Sequence, residues 1–248
     1  MFDLAGRTAA VTGPGRGIGQ AISLALASAG ADLVLIGRAE SCQATAELVR
    51  EEGGTAEVVD LDLSDIDSVE KVGRQLAVSH AIDVLVNNAG IISRGETVAV
   101  TTSEWHRVLD VNLTAPFVLT REIGASMVSR RRGKIINVAS LLSFQGGVNV
   151  ASYATSKHGI AGLTRALSNE WAESGVQVNA LAPGYIATDN TTALRNDDSR
   201  AAEILARIPS GRWGEAADLG GAAVFLASSA SDYVTGHTLV VDGGWMAR

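Results

Sequence analysis

Thr8-Ala-Ala-Val11-Thr12-Gly13-Pro14-Gly15-Arg16-Gly17-Ile18-Gly19 decides the fold of this chain. A short apolar run enters a glycine-rich turn, and a helical pattern from Gln20 to Ala29 follows at once. Strand, glycine turn and helix in that order suit a phosphate: glycine lets the backbone approach closely, and the helix N-terminus offers unpaired N–H groups and the positive end of its dipole. A glycine triplet alone is a weak signal, but its place straight after a strand strengthens it. The spacing is Gly-x-x-x-Gly-x-Gly, not the commoner dinucleotide spacing Gly-x-Gly-x-x-Gly.

The same alternation continues outward. Short runs rich in valine or isoleucine stand at Thr8–Val11, Asp32–Ile36, Ala56–Val59, Val84–Val86, Lys134–Val138, Gln177–Leu181 and Thr238–Val241. Helical periodicity covers Gly17–Ala29, Ser41–Glu52, Ser64–Ser79, Thr102–Arg131, Ser152–Ser174 and Ala216–Ser228. Continuous apolar strands predict a parallel sheet covered on both faces, built from right-handed βαβ units.

The bulk numbers fit one such unit. A chain of 248 residues with 46% hydrophobic and 19% charged residues can bury a large core as a single α/β domain. No apolar run approaches the roughly 20 residues that span a bilayer, so no membrane partner is expected. The opening Met1-Phe2-Asp3-Leu4-Ala5-Gly6-Arg7 lacks the pattern of a secretory signal, and a cytoplasmic location is the expectation. A single cysteine, Cys42, excludes an intrachain disulfide and a cysteine metal cluster, and His80, His106, His158 and His237 lack ligand spacing. No catalytic metal is expected. A net charge of -7 without a long basic cluster argues against nucleic acid as partner. Arg130-Arg131-Arg132 falls at a predicted helix C-terminus, where cations offset the dipole.

Tyr153 and Lys157 stand one helical turn apart, on the same helix face. A free phenol, with a pKa of about 10, is a poor base at neutral pH, and a neighbouring positive charge stabilises the phenolate. Alone, the pair reads first as a half-buried tyrosine beside a solvated lysine. Joined to the glycine turn, Asn87-Asn88-Ala89-Gly90, Asn112, Ser140 and Pro183-Gly184, it resembles the short-chain dehydrogenase/reductase family. These motifs occur in family order over nearly the whole chain.

The resemblance implies a nicotinamide-dependent oxidoreductase. Its fold would be a single doubly wound Rossmann domain over residues 1–248, a seven-stranded parallel sheet in the order 3-2-1-4-5-6-7. Tyr153 would move the proton, base in oxidation and acid in reduction, and Lys157 would lower its pKa and hold the nicotinamide ribose. Ser140 would bind the reacting oxygen, and Asn112 would interrupt its helix and hold a water that links the lysine to solvent. The cofactor would lie along Gly13, Gly15, Arg16, Gly17, Ile18 and Gly19. It would continue past Asp62 and Leu63, past Asn88, Ala89 and Gly90, and along Pro183, Gly184, Ile186 and Thr188. Asp62 would accept from the adenine amine, with Asp60 as the competing candidate. Asn87 could equally serve a turn.

NAD enzymes of this fold often place an acid at the end of the second strand. Here that strand ends Ile36-Gly37-Arg38, and Arg16 is a second cation near the same ribose. Arginine forks pair well with phosphate oxygens, so NADP is favoured over NAD. Glu40 keeps NAD as the alternative, because it could turn back to the ribose.

Within the family, Ser140–Gly147, Ala182–Thr191, Arg207–Gly214 and Val241–Arg248 resemble the 2-deoxy-D-gluconate 3-dehydrogenases, also described as 2-dehydro-3-deoxy-D-gluconate 5-dehydrogenases. That implies a small carboxylated sugar substrate. The resemblance also implies a substrate lid over about 188–212, whose residues 188–203 are strongly polar, whereas a fatty acyl substrate would want an apolar lid. Arg94 is the first candidate for the carboxylate clamp; Gln145, Asn149, Asn190 and Arg212 follow. Rival readings are gluconate 5-dehydrogenase, a 3-oxoacyl thioester reductase and, in a different class, a non-catalytic dinucleotide sensor. The resemblance also implies a homotetramer paired through Thr102–Arg131 and Ser152–Ser174, with Trp245 and Met246 exposed unless a neighbouring subunit or the lid covers them.

Overall fold

A computed structural model describes residues 1–248. Seven parallel strands, β1 (Thr8–Thr12), β2 (Asp32–Gly37), β3 (Ala56–Asp60), β4 (Ile82–Asn87), β5 (Gly133–Val138), β6 (Val176–Pro183) and β7 (Thr238–Val241), form one sheet in the order β3-β2-β1-β4-β5-β6-β7. The predicted topology holds. Helices α1 (Gly17–Ser28), α2 (Ala39–Glu51), α3 (Ile66–Ser79), α4 (Thr102–Leu109), α5 (Ala115–Arg130), α6 (Ala151–Trp171), α7 (Thr192–Arg195), α8 (Asp198–Arg207) and α9 (Gly220–Ala227) fill the connections.

Each strand feeds two cores because successive side chains point to opposite faces. Leu33 and Leu35 join Val11, Ile22, Leu26 and Leu226 beneath α1, α2 and α9. Val34 and Ile36, one residue out of step, join Leu85, Leu119, Ile123 and Met127 beneath α3 and α5. Burial on both faces explains why β2, β4 and β5 are almost wholly buried, with Asp32 at the start of β2 the one exposed position among them, whereas edge strand β3 is exposed at Glu57 and Asp60.

Two local expectations change. The helix predicted over Thr102–Arg131 is three pieces, because a π turn at Asp110–Thr114 separates α4 from α5 and Ala115 donates its N–H to the Asp110 carbonyl. Pro116 enforces the break: it has no N–H to return to the carbonyl four residues back, that of Asn112.

The three arginines after α5 do more than offset a dipole. Asp83, 4% exposed at the start of β4, receives Arg132 at 2.7 Å and Arg130 at 3.3 Å, with Arg7 at 3.6 Å. A buried carboxylate demands such partners. Arg131 takes the left-handed conformation that ends the helix, at φ 52, and donates to the Glu173 carbonyl. No helix is long and apolar enough to cross a membrane.

Candidate active site

The C-terminal ends of the strands open into one cleft of about 840 Å³. Its floor is the glycine loop, where Gly13 (φ +62) and Gly17 (φ +56) adopt left-handed backbone that other residues resist. Gly19 packs face to face with the loop: a Cβ there would stand 2.1 Å from the Gly13 carbonyl oxygen. Asn88 fastens this loop to β4, since its Nδ2 donates to the Thr12 and Gly13 carbonyls at 3.0 Å each. Thr12 Oγ1 in turn accepts from the Asn88 and Ala89 amides. Asn88 is thus a loop fastener that also lines the cleft. Asn87 is buried and donates to Thr120 and Asn137, a cross-strand bond and not a turn.

The cleft suits a dinucleotide phosphate. α1 begins at its floor without a side-chain cap and without an acid in its first turn, leaving its N–H groups and dipole directed at whatever the cleft holds. All the residues predicted for the cofactor line this one cleft: the loop from Gly13 to Gly19 other than Pro14, then Arg38, Asp62, Leu63, Asn88, Ala89, Gly90, Tyr153, Lys157, Pro183, Gly184, Ile186 and Thr188. Asp60 is engaged elsewhere, its carboxylate accepting from the Ala39 amide at the start of α2. Asp62 is held well ionised, first by the Ser64 amide and hydroxyl, then by the charges of Arg38 and Arg107. Glu40 lies in the first turn of α2 and outside the cleft lining, so no acid meets the ribose from the end of β2.

Further along stand the groups of the chemistry. Lys157, 4% exposed, donates to the Val138 carbonyl at 2.7 Å, with its ammonium 5.6 Å from the centre of the Tyr153 ring. Burial drops its pKa to about 8. Burial likewise raises the Tyr153 phenol, while the Ser140 hydroxyl and the positive charge of Arg94 pull it back. Arg94 is therefore the cation whose charge lowers the phenol, a part that the Tyr153/Lys157 spacing alone does not reveal.

Asn112 stands behind the cleft. Its Oδ1 accepts from the Ile91 amide at 2.8 Å, and its Nδ2 donates to the Ile91 carbonyl and to Ser156 Oγ. Ser156 Oγ donates to the Tyr153 carbonyl, so the π turn is tied directly to the catalytic turn of α6. The Asn112 side chain thus acts as a fastener between the loop at Ile91 and α6. Gly90 makes room for this arrangement: a Cβ there would meet Asn112 at 3.4 Å and Lys157 at 3.7 Å.

The predicted substrate residues divide. Arg94 reaches the lid, donating to the Asn190 carbonyl at 3.3 Å, and Asn190 itself lines the cleft. Asn149, in left-handed backbone at φ 59, accepts from the Gly95 amide through its carbonyl and so braces the Arg94 loop. Gln145 lies outside the lining, as do Arg94 and Asn149, so of these residues Asn190 alone borders the cleft directly. Arg212 is held away by a two-pronged pair with Asp218 at 2.7 and 2.9 Å, and the same pairing drops the Asp218 carboxyl to about 2.

The lid is polar outside and apolar beneath. Ile204 and Ile208 bury against Leu141 and Trp245, with the Arg207 guanidinium 4.1 Å over the Trp245 ring. Within the chain the lid buries Trp245, whereas Met246 is 38% exposed. At its tip Asp189 pairs with Arg16 at 2.8 Å, so the lid reaches back to the glycine loop. Sequence reasoning missed Arg107 and Val111, which also line the cleft. Their spacing of four on one helix face was the available signal.

A parallel sheet in this order, with a glycine-loop cleft and a Ser-Tyr-Lys constellation at its foot, defines a dinucleotide-dependent oxidoreductase. A family model described as enoyl-(acyl carrier protein) reductase matches residues 13–246, and the chain belongs to the short-chain dehydrogenase/reductase family. It is 53% identical over 247 residues to the 2-dehydro-3-deoxy-D-gluconate 5-dehydrogenase of Bacillus subtilis, covering 100% of this chain and 97% of the relative. A Beutenbergia cavernae structure with NADP bound at low occupancy is 54% identical, with a TM-score of 0.98 over 100% of this chain and 99% of that one. The gluconate 5-dehydrogenase of Burkholderia cenocepacia, solved with NADP and tartrate, is 40% identical, with a TM-score of 0.94 over 100% and 98%.

Proposed function

We propose that the protein oxidises a secondary hydroxyl of a small sugar acid such as 2-dehydro-3-deoxy-D-gluconate or 2-deoxy-D-gluconate, or reduces the matching ketone, with NADP in preference to NAD. One observation carries this reading: Tyr153, Ser140 and Lys157 converge at the foot of a dinucleotide-sized cleft, with the Arg94 cation acting on the same phenol under a polar lid. A bound nicotinamide dinucleotide supplies the hydride acceptor. Tyr153 takes the hydroxyl proton in oxidation and returns it in reduction. Ser140 donates to the reacting oxygen, and Lys157, anchored on the Val138 carbonyl, keeps a positive charge beside the phenol ring. Arg38 and Arg16 line the cleft where an added ribose phosphate needs cations, which supports NADP.

A panel of sugar acids assayed with NAD and NADP, following the reduced cofactor, tests both parts. A higher kcat/KM with NADP than with NAD is expected; the reverse removes the cofactor preference. Faster turnover of a 3-oxoacyl thioester than of any sugar acid removes the substrate class.

Arg94 gives a sharper prediction. An arginine–carboxylate bond contributes about 1.5–3 kcal/mol, so Arg94→Ala is expected to raise KM for the acid by roughly ten- to a hundredfold. The arginine also lowers the Tyr153 pKa, so its loss shifts the pH profile of oxidation to higher pH. An unchanged KM and profile would eliminate the clamp. Assembly as a homotetramer through α4–α5 and α6 is part of the same reading. It is supported by Phe117 on α5, 41% exposed beneath the Arg121 guanidinium, and a monomer in light scattering overturns it.

A further inference from the structure

Two arginines without partners stand at the adenosine end of the cleft. Arg38 caps the start of α2, which packs on the face of the sheet shared with α1. Arg107 comes from α4, which leads through the π turn into α5 on the opposite face. Both side chains are exposed, and neither forms an ion pair or a side-chain hydrogen bond, although most of the other arginines do one or the other, Arg16, Arg94 and Arg212 at the same cleft and lid among them. Asp62, just past the end of β3, lines the same cleft and feels the charge of both.

The position of Arg107 is fixed by its own helix. It shares the cleft-lining face with Val111, four residues on, and the next residue, Asn112, is bonded to Ile91 from both ends of its amide. The helix segment therefore cannot roll without breaking those bonds. Arg16 and Arg38 enter the cleft from the starts of α1 and α2, whereas Arg107 enters it from α4, in a lining that also includes Asp62, Leu63 and Ser64. A planar guanidinium in that place suits the flat face of a base better than a phosphate.

We propose that Arg107 is a cofactor-binding residue that covers the adenine ring from the α4 side, its guanidinium lying over the base while Asp62 faces the base edge. The proposal rests on the dinucleotide reading of the cleft. It separates two duties that both fall to cations: Arg38 reads the ribose phosphate, and Arg107 reads the base that NAD and NADP share.

Calorimetric titration of the full chain with 5′-AMP and with 2′,5′-ADP tests this without turnover. Arg107→Ala is expected to weaken both fragments by the same factor, about five- to tenfold for a stacked cation. Arg38→Ala is expected to weaken 2′,5′-ADP more than 5′-AMP. An Arg107→Ala protein that binds 5′-AMP within twofold of wild type, or that loses only 2′,5′-ADP, overturns the proposal. If Arg107→Ala lowers the thermal unfolding temperature, Arg107→Lys decides: it keeps the charge and loses the flat face, so weak 5′-AMP binding supports stacking and full affinity overturns it. Wild-type protein that binds neither fragment sinks the dinucleotide reading itself, and the proposal with it.

Discussion

Tyr153→Phe is expected to lower kcat by about 10²–10⁴-fold while leaving NADP affinity unchanged, because it removes the atom that exchanges the proton and nothing that packs. The ring keeps its place on α6 beside the Lys157 ammonium, 5.6 Å from its centre. Ser156 still bonds the backbone carbonyl of residue 153, so the tie to Asn112 survives the change. Turnover and cofactor titration on the same preparation separate the two effects, and near-normal turnover would refute the proton-transfer role. Lys157 offers a companion measurement through its pKa of about 8, depressed by burial. Between that value and the unfolded value of about 10.4 the unfolded chain binds more protons, so this residue makes stability rise with pH across that window. Lys157→Met is expected to flatten that rise.

Gly19→Ala is expected to weaken cofactor binding at least about tenfold and to destabilise the protein by about 1–3 kcal/mol, the range for forcing an extra methyl into a packed site. The added Cβ would stand 2.1 Å from the Gly13 carbonyl oxygen and 2.4 Å from Asn88 Nδ2. The first neighbour is backbone and cannot yield without moving the loop. The second is the amide that clamps Thr12 and Gly13 to β4, so the methyl attacks the floor and its fastening together. Gly221→Ala in α9 is the control, since a Cβ there meets nothing within 4 Å and alanine is the better helix former. Thermal unfolding and NADP titration of both variants check this. A Gly19→Ala protein with wild-type affinity would show that the loop is not the phosphate floor.

The sequence carried the fold because its signals are local and repeated. Valine-rich runs of strand length, helical periodicity between them and the glycine turn at residues 13–19 each report the backbone where they stand, and the order of elements restricts how a parallel sheet winds. The motifs at Asn88, Ser140 and Pro183 were legible as one site for the same reason: each stands at the end of a strand or just after it, and all strands end on one side. Tyr153 and Lys157 needed only the helical period.

What the sequence left open depends on partners far along the chain. Arg94, Asn149, Asn190 and Arg212 look alike as polar residues in loops. Only the fold gives Arg94 to the lid and Tyr153, binds Arg212 to Asp218 and uses the Asn149 carbonyl as a brace. Asn112 read as a helix interruption, yet its duty of joining Ile91 to Ser156 requires groups 21 and 44 residues away. The arginines after α5 looked like a dipole cap until Asp83 met them from β4. By itself, then, the sequence determined the sheet, the cleft and the proton-handling pair, since these follow from periodicity and chain order. The tertiary structure alone decided which cations face the cleft, because a long charged side chain has no preferred partner until packing brings one within reach.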